Sequence, residues 1–160
     1  MAMKAVLQRV VTGSVSVGGE IISSIGKGMV ALIGIHRDDT RADMEYIVRK
    51  MVSIRMWEDE AGRRWAKSAK DLDLEILCVS QFTLCHVMKG NKPDFHLAMA
   101  GENSEQFYKE FLVEMEKAHS EDKIKDGLFG AMMEVNIVND GPVTLELDSI
   151  NNRSAASGKK

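Results

Sequence analysis

Apolar and polar residues alternate through the first third of the chain with the period of a β-strand. Residues 3–11 run or alternate apolar as one strand, and Ser14-Val15-Ser16-Val17, Gly18-Gly19 and Glu20-Ile21-Ile22 predict a hairpin closed by a two-glycine turn. A second apolar run, residues 29–35, follows Gly26-Lys27-Gly28, so a β-meander opens the fold. The period then lengthens. Met44, Ile47, Val48, Met51 and Val52 recur at spacings of three and four behind Thr40, a natural N-cap, and predict a helix over 41–53 with one face on the sheet. Leu74-Glu75-Ile76-Leu77-Cys78-Val79 predicts a buried strand that delivers Ser80-Gln81-Phe82-Thr83 at its carboxyl end, where active sites often form. Asn103 with Gln106 resembles a capping box for a second helix, whose inner face carries Phe107, Phe111, Leu112 and Met115. Two more strands, Val135-Asn136-Ile137-Val138 and Thr144-Leu145-Glu146-Leu147, flank Asn139-Asp140-Gly141-Pro142, which predicts a turn or a stop between them. The succession indicates an α/β fold: one compact domain with mixed or antiparallel β-sheets and two main helices.

Length and composition narrow the classes. A chain of 160 residues can bury one good core and is short for two domains. The 44% apolar content is spread out, and no run approaches the roughly 18 residues of a membrane span, so membrane function is not expected. No basic segment followed by an apolar stretch marks a secretory signal, and two cysteines make no disulfide framework, so the expected compartment is the cytoplasm. A net charge of −3 argues against a protein that coats nucleic acid through a general positive field. Local basic clusters remain as candidate phosphate contacts: Arg63, Arg64, Lys67 and Lys70, then Lys89 with Lys92, then Lys123 with Lys125.

The two polar segments carry the chemistry. Gly141-Pro142 is the place to look for a cis peptide, because only X-Pro bonds adopt cis at low cost. Thr83 is a candidate nucleophile, although the sequence offers no base beside it and a strand threonine commonly serves packing. Backbone N–H groups near Phe82 and Thr83 are the alternative, as donors to the oxyanion formed when water attacks an ester. His36, His86, His96 and His119 lack metal-ligand spacing, so no metal or cofactor is expected. Cys78 and Cys85 have the wrong spacing for C-x-x-C redox chemistry. Trp57 and Trp65 can pack in a core or stack on a base, and Phe82, inside the first polar segment, has the better claim to stacking on a base.

With the opening Met3-Lys4-Ala5-Val6-Leu7-Gln8-Arg9-Val10, these segments resemble the D-aminoacyl-tRNA deacylase family, whose signatures read SQxxT and NxGPxT. The resemblance covers residues 3–149, and Arg63-Arg64-Trp65-Ala66-Lys67-Ser68 with Lys89-Gly90-Asn91-Lys92-Pro93-Asp94-Phe95 is similar to the eukaryotic branch. It implies a deacylase-like fold over residues 1–149, with 150–160 expected to be a disordered tail. It further implies hydrolysis of the ester of D-aminoacyl-tRNA, and of mischarged glycyl-tRNA, with L-aminoacyl-tRNA excluded, as translation quality control. The site it implies is composite across a homodimer: Ser80, Gln81, Phe82 and Thr83 hold and polarise the ester, while Gly141 and Pro142 enter from the partner subunit and leave no room for an L side chain. Arg9 then fixes the Gly-Pro loop through charge-assisted bonds, against the simpler reading of a surface ion pair. The partners implied are the aminoacyl-tRNA 3′ end and a second copy. Two other functions stay open: a non-catalytic nucleic-acid-binding protein on the same scaffold, and a hydrolase of small D-amino acid esters.

Overall fold

The computed structural model describes residues 2–152. The chain runs through β1 (Lys4–Val17), β2 (Glu20–Ile25), β3 (Gly28–Gly34), α1 (Arg41–Ser53), β4 (Arg55–Trp57), β5 (Lys67–Ser68) and β6 (Glu75–Ser80). A 3₁₀ turn (Phe82–Cys85) follows, then β7 (Val87–Lys89), β8 (Lys92–Asp94), α2 (Gly101–Ala118), β9 (Ile124–Asp126) and β10 (Glu134–Asp148). The main sheet has the order β10-β1-β3-β6-β9, with β2 paired to the distal half of β1. Its first strands are antiparallel, but β3 pairs with β1 rather than with β2, so the expected meander is not formed, and β3-β6-β9 are parallel, which makes the sheet mixed, one of the two arrangements expected. The short pairs β4-β5 and β7-β8 were not legible in the sequence.

Strand alternation decides which face each residue serves. Met3, Ala5 and Leu7 of the first strand region, with Met29, Ala31 and Ile33 of β3 and Ile76 and Cys78 of β6, are buried against both helices. Val10, Val15, Val30, Leu77 and Val79 form a smaller cluster on the opposite face. Val15 has the parity of Leu7 yet joins the other cluster, because the β1-β10 register shifts between Val10 and Thr12 and turns the strand over.

Helix α1 has the expected bounds. Met44, Ile47, Val48, Met51 and Val52 are buried, and at its start the Asp43 carboxylate accepts the Thr40 N–H at 2.8 Å. Helix α2 corrects one detail: it begins at Gly101 behind Ala100, so Asn103 is not its cap. Its buried face is Ser104, Tyr108, Phe111 and Met115, with Phe107 and Leu112 only partly buried beside it.

The larger correction lies at the C-terminus. The two expected strands are one, β10, and Asn139-Asp140-Gly141-Pro142 neither turns nor stops it. Gln8 pairs with Thr144 and Val10 with Asn139, so residues 140–143 bulge out opposite Arg9 alone. Residues 150–152 form a helical turn, and the rest of the expected tail, 153–160, lies outside the described residues.

Candidate active site

Two constructions carry the polar segments. At the end of β6, Ser80 pairs with Ile33, and the Gln81 N–H donates to the Ile33 carbonyl at 2.7 Å, extending the strand edge by one bond. The chain then tightens into the 3₁₀ turn. Gly34 permits this approach, because a Cβ there would come within 2.8 Å of Leu84 Cβ. The first internal bond of the turn, from Leu84 N–H to the Gln81 carbonyl at 3.3 Å, comes after the Phe82 and Thr83 amides, which are the donors that a short helix start leaves over. The Thr83 hydroxyl donates to Gln81 Oε1 at 2.6 Å, and His86 Nδ1–H donates to the Thr83 carbonyl at 2.8 Å. The Thr83 proton is thus shared with an amide oxygen, which is no base.

Ser80, Gln81 and Phe82 line a cavity of about 550 Å³ whose opposite wall is Phe129, Met132 and Met133 from the β9-β10 loop. Thr83 is not among the residues that line this cavity. Phe82 is 54% exposed and meets Phe95 edge-to-face at 5.1 Å, so it is not a core phenylalanine. The β9-β10 wall escaped the sequence reading. Its one visible signal is an apolar run in a glycine-punctuated loop, Leu128-Phe129-Gly130-Ala131-Met132-Met133, with Met132 92% exposed. Behind it, Tyr108 donates to Asp126 Oδ1 at 2.6 Å and its ring contacts that of Phe129 at 5.6 Å, which anchors the wall to α2. Burial pushes Asp126 above the usual carboxylate range, and the Tyr108 bond opposes that shift.

The second construction is the β10 bulge. The Gly141-Pro142 peptide is cis, and Gly141 has φ +127°, a value L side chains rarely adopt. A Cβ there would lie 3.1 Å from Arg9 Nη2 and 2.9 Å from Val143 Cγ2. Arg9 donates from Nε to the Asp140 carbonyl at 3.1 Å and from Nη1 to the Met56 carbonyl at 2.5 Å, and its Nε lies 3.4 Å from Asp140 Oδ2. Its side chain is 18% exposed, so the simple surface ion pair is only part of its role. At the feet of the bulge, Gln8 Oε1 accepts from Asn139 Nδ2 at 2.5 Å and from the Thr144 hydroxyl at 2.6 Å, while Asn139 Oδ1 accepts the Val143 N–H at 2.9 Å. Gln8, Asn139 and Thr144 were absent from the expected site residues, although the last two lie within a quoted signature.

One chain does not bring the two constructions together. Ser80 is level with Ile33 and Ala5, whereas the bulge is level with Arg9, four residues along β1, roughly 13 Å away. Crossing from β6 to β10 adds three ladder spacings, about 14 Å.

The remaining candidates sort by environment. Trp57 is 3% exposed in the core, and Trp65 is 54% exposed. His119 Nε2 donates to the Leu74 carbonyl at 2.6 Å, and His96 Nδ1 pairs with Asp94. Burial raises the thiol of Cys78 far above its usual range and that of Cys85 to about 11, so both are protonated and unreactive near neutrality. Among the described residues, no three His, Cys, Asp or Glu are grouped to hold a metal ion, and no helix is long and apolar enough to cross a membrane.

Comparisons with known proteins agree across nearly the whole chain. Residues 6–148 match the family model described as D-Tyr-tRNA(Tyr) deacylase. The chain is 56% identical over 158 residues to "D-aminoacyl-tRNA deacylase 1" of Bos taurus, covering 99% of this chain and 76% of the relative. It is 55% identical to "D-aminoacyl-tRNA deacylase" of Dictyostelium discoideum, covering 92% of this chain and 98% of that one. A solved structure described as "c-Myc DNA Unwinding Element Binding Protein" superposes with a TM-score of 0.88 at 56% identity, covering 91% of this chain and 97% of its own. Another, "Structural Analysis of a probable eukaryotic D-amino acid tRNA deacylase", has a TM-score of 0.80 at 19% identity over 92% of this chain and 100% of its own, which speaks to the fold alone.

Proposed function

The chain belongs to the D-Tyr-tRNA(Tyr) deacylase family, and from that premise we propose that it hydrolyses the ester of D-aminoacyl-tRNA, spares L-aminoacyl-tRNA and accepts glycyl-tRNA. The products are the free amino acid and tRNA. The observation that carries the reading is the cavity lined by Ser80, Gln81 and Phe82, at whose edge a strand gives way to a turn with leading amides. An ester carbonyl set at that edge meets the Phe82 and Thr83 N–H groups, which stabilise the oxyanion as water adds. Water attacks the carbonyl carbon, the ester C–O bond breaks, and the ribose oxygen leaves with a proton. The vicinal ribose hydroxyl positions or activates the water, in keeping with a Thr83 hydroxyl that donates to Gln81 and has no base bonded to it among the described residues.

Chirality is read by main-chain atoms in this scheme. The Gly141-Pro142 bulge, held by Arg9, fills the space that an L side chain would need, while a D side chain or the hydrogen of glycine clears it. Because the bulge stands some distance from Ser80 within one chain, it serves the cavity of a second copy, and the active species is a homodimer. The cytoplasm is the compartment that suits this substrate.

A second reading draws on one observation, the DNA-binding name of a solved structure 56% identical to this chain. On that reading the scaffold binds nucleic acid without turnover. Catalytic amounts of protein, incubated with matched D-tyrosyl-, L-tyrosyl- and glycyl-tRNA, separate the two. Multiple turnovers on the D ester with L spared support the deacylase, and release of no more amino acid than there are sites supports the binding protein. Cleavage of D-amino acid methyl esters at the tRNA rate would instead favour the small-ester hydrolase.

A further inference from the structure

We propose that Arg64 and Trp65 form a docking point for the single-stranded acceptor end of the substrate RNA, with Trp65 stacking on a base and Arg64 meeting a backbone phosphate; this rests on the reading that Gly141-Pro142 stands at the scissile ester. The two residues lie in the segment between β4 and β5, whose other tryptophan, Trp57, is core. Trp65 is held outward. It has φ +57°, in the left-handed region that bulky residues seldom enter.

The segment is built to hold that conformation. The Asp59 carboxylate accepts from the Ala61 N–H at 2.9 Å, the Arg63 N–H at 2.9 Å and Arg63 Nε at 2.7 Å. The Asp59 N–H donates to the Arg63 carbonyl at 3.0 Å, and the Ala66 N–H donates to the Trp57 carbonyl at 2.9 Å, closing the segment on either side of Trp65. Hydrogen bonds rather than burial therefore hold the backbone that presents this exposed indole. A surface aromatic ordered in this way is pre-organised for stacking, which tolerates any base because every base has a π-face.

Position and charge choose the occupant. Arg64 and Trp65 border one cavity of about 330 Å³ with Arg9, Glu58, Gly141 and Pro142. Whichever cavity the Gly-Pro bulge enters, Trp65 arrives beside it, next to the nucleotides that precede the terminal adenosine. Arg63 is neutralised by Asp59, and Arg9 is bound to two carbonyls and Asp140. Arg64 is exposed and has no acidic partner within ion-pair distance among the described residues, which leaves its charge for a polyanion. Glu58 lines the same cavity and opposes a phosphate beside it, so the phosphate contact is assigned to the exposed Arg64. A phosphodiester strand, charged at every nucleotide, suits this free cation better than a second copy whose net charge of −3 is spread over 160 residues.

The test compares two substrates of the full-length protein, D-tyrosyl-tRNA and D-tyrosyl-adenosine, which has the ester and terminal base but no upstream nucleotides. Trp65→Ala is expected to raise KM for the tRNA about tenfold, as loss of one base stack does, with kcat and the adenosine ester scarcely changed. Trp65→Phe should recover most of that loss. Arg64→Gln should flatten the dependence of log KM on log salt by about 0.7, one single-strand phosphate contact. Equal losses on both substrates, or an unchanged KM for tRNA, would overturn the proposal. So would dissociation of Trp65→Ala into monomers by sedimentation, which assigns the surface to a second copy. Failure of the deacylase reading itself shows separately, as an inactive wild type. Binding of an uncharged acceptor-stem RNA then decides: tryptophan quenching present in wild type and lost in Trp65→Phe supports the docking point, and no quenching in wild type rejects it.

Discussion

Arg9 and Asp140, 131 residues apart, are joined across the β1-β10 ladder by a bond from the arginine Nε to the aspartate carbonyl at 3.1 Å. The bond lies where the ladder loses register, so the side chain replaces the backbone pairing that the bulge gives up. A second arm reaches the Met56 carbonyl and ties the bulge to the end of α1 through β4. Lysine keeps the charge but cannot span both carbonyls. Arg9→Lys is therefore expected to cost about 1.5–3 kcal/mol of stability, one charge-assisted hydrogen bond, and to loosen the bulge. The rate on L-tyrosyl-tRNA relative to D-tyrosyl-tRNA should rise about tenfold, measured as ester loss under single-turnover conditions. An unchanged ratio would separate Arg9 from the chiral filter.

Local signals in the sequence located some of this and misled about the rest. Met44, Ile47, Val48, Met51 and Val52 face one way on any helix, so α1 was readable to its ends. Asn139-Asp140-Gly141-Pro142 has every mark of a turn, yet β10 continues through it, because Arg9 and Asn139 satisfy the bulged backbone from the side and Gln8 holds the Asn139 side chain. Asn139 is local to Val143, but Arg9 and Gln8 lie 131 residues from the groups they hold and meet them only through strand register, which is not a local property. The same holds for the parallel pairing of β3 with β6 and of β6 with β9. Ser80-Gln81-Phe82-Thr83 was found as a strand end. Its facing wall of Phe129, Met132 and Met133 was not, since a loop's role follows from what it packs against, here Tyr108 and Asp126.

That anchor makes stability depend on pH. Asp126 has its carboxyl raised by burial, so the native state binds its proton more readily than the unfolded chain does. Stability contributed by this group accordingly falls as pH rises from 3.8 through the native value. The Tyr108 bond limits the fall by stabilising the carboxylate. Tyr108→Phe removes that bond and raises the native value further, which extends the window of falling stability to higher pH. The variant is expected to be less stable by about 1.5–3 kcal/mol at pH 7, the worth of a hydrogen bond to a charged group. Its deficit should shrink as pH drops toward 4, followed by urea denaturation at several pH values. A deficit independent of pH would mean that the cost is packing alone.

Thr83 and the substrate's own hydroxyl make opposite predictions. With its proton donated to Gln81 and no base bonded to it among the described residues, the Thr83 side chain positions Gln81 more than it reacts. Thr83→Ala is expected to slow cleavage of D-tyrosyl-tRNA by no more than about tenfold, the loss of one partly buried hydrogen bond. Replacing the terminal adenosine by its 2′-deoxy form should slow it by about a hundredfold or more, on the scale of a lost proton-transfer partner. Equal rates with the two RNAs would remove the ribose hydroxyl from the mechanism, and complete inactivity of Thr83→Ala would return the threonine to consideration as nucleophile.

The separation of Ser80 from Gly141 within one chain can be turned into a test of the composite site. Gly141→Ala introduces a Cβ 3.1 Å from Arg9 Nη2 at φ +127°, so the bulge must shift, and its homodimer should cleave L-tyrosyl-tRNA more readily. Gln81→Ala damages the cavity but keeps an intact bulge, and its homodimer should be inactive. When the two are co-refolded with the cavity variant in about tenfold excess, mass action places nearly every Gly141→Ala chain in a mixed dimer. If bulge and cavity act in the same chain, each working cavity still carries its own displaced bulge, and the L-to-D ratio stays high. If they act across the junction, each working cavity receives the intact bulge of its Gln81→Ala partner. The ratio should then fall to that of the wild type while D cleavage persists.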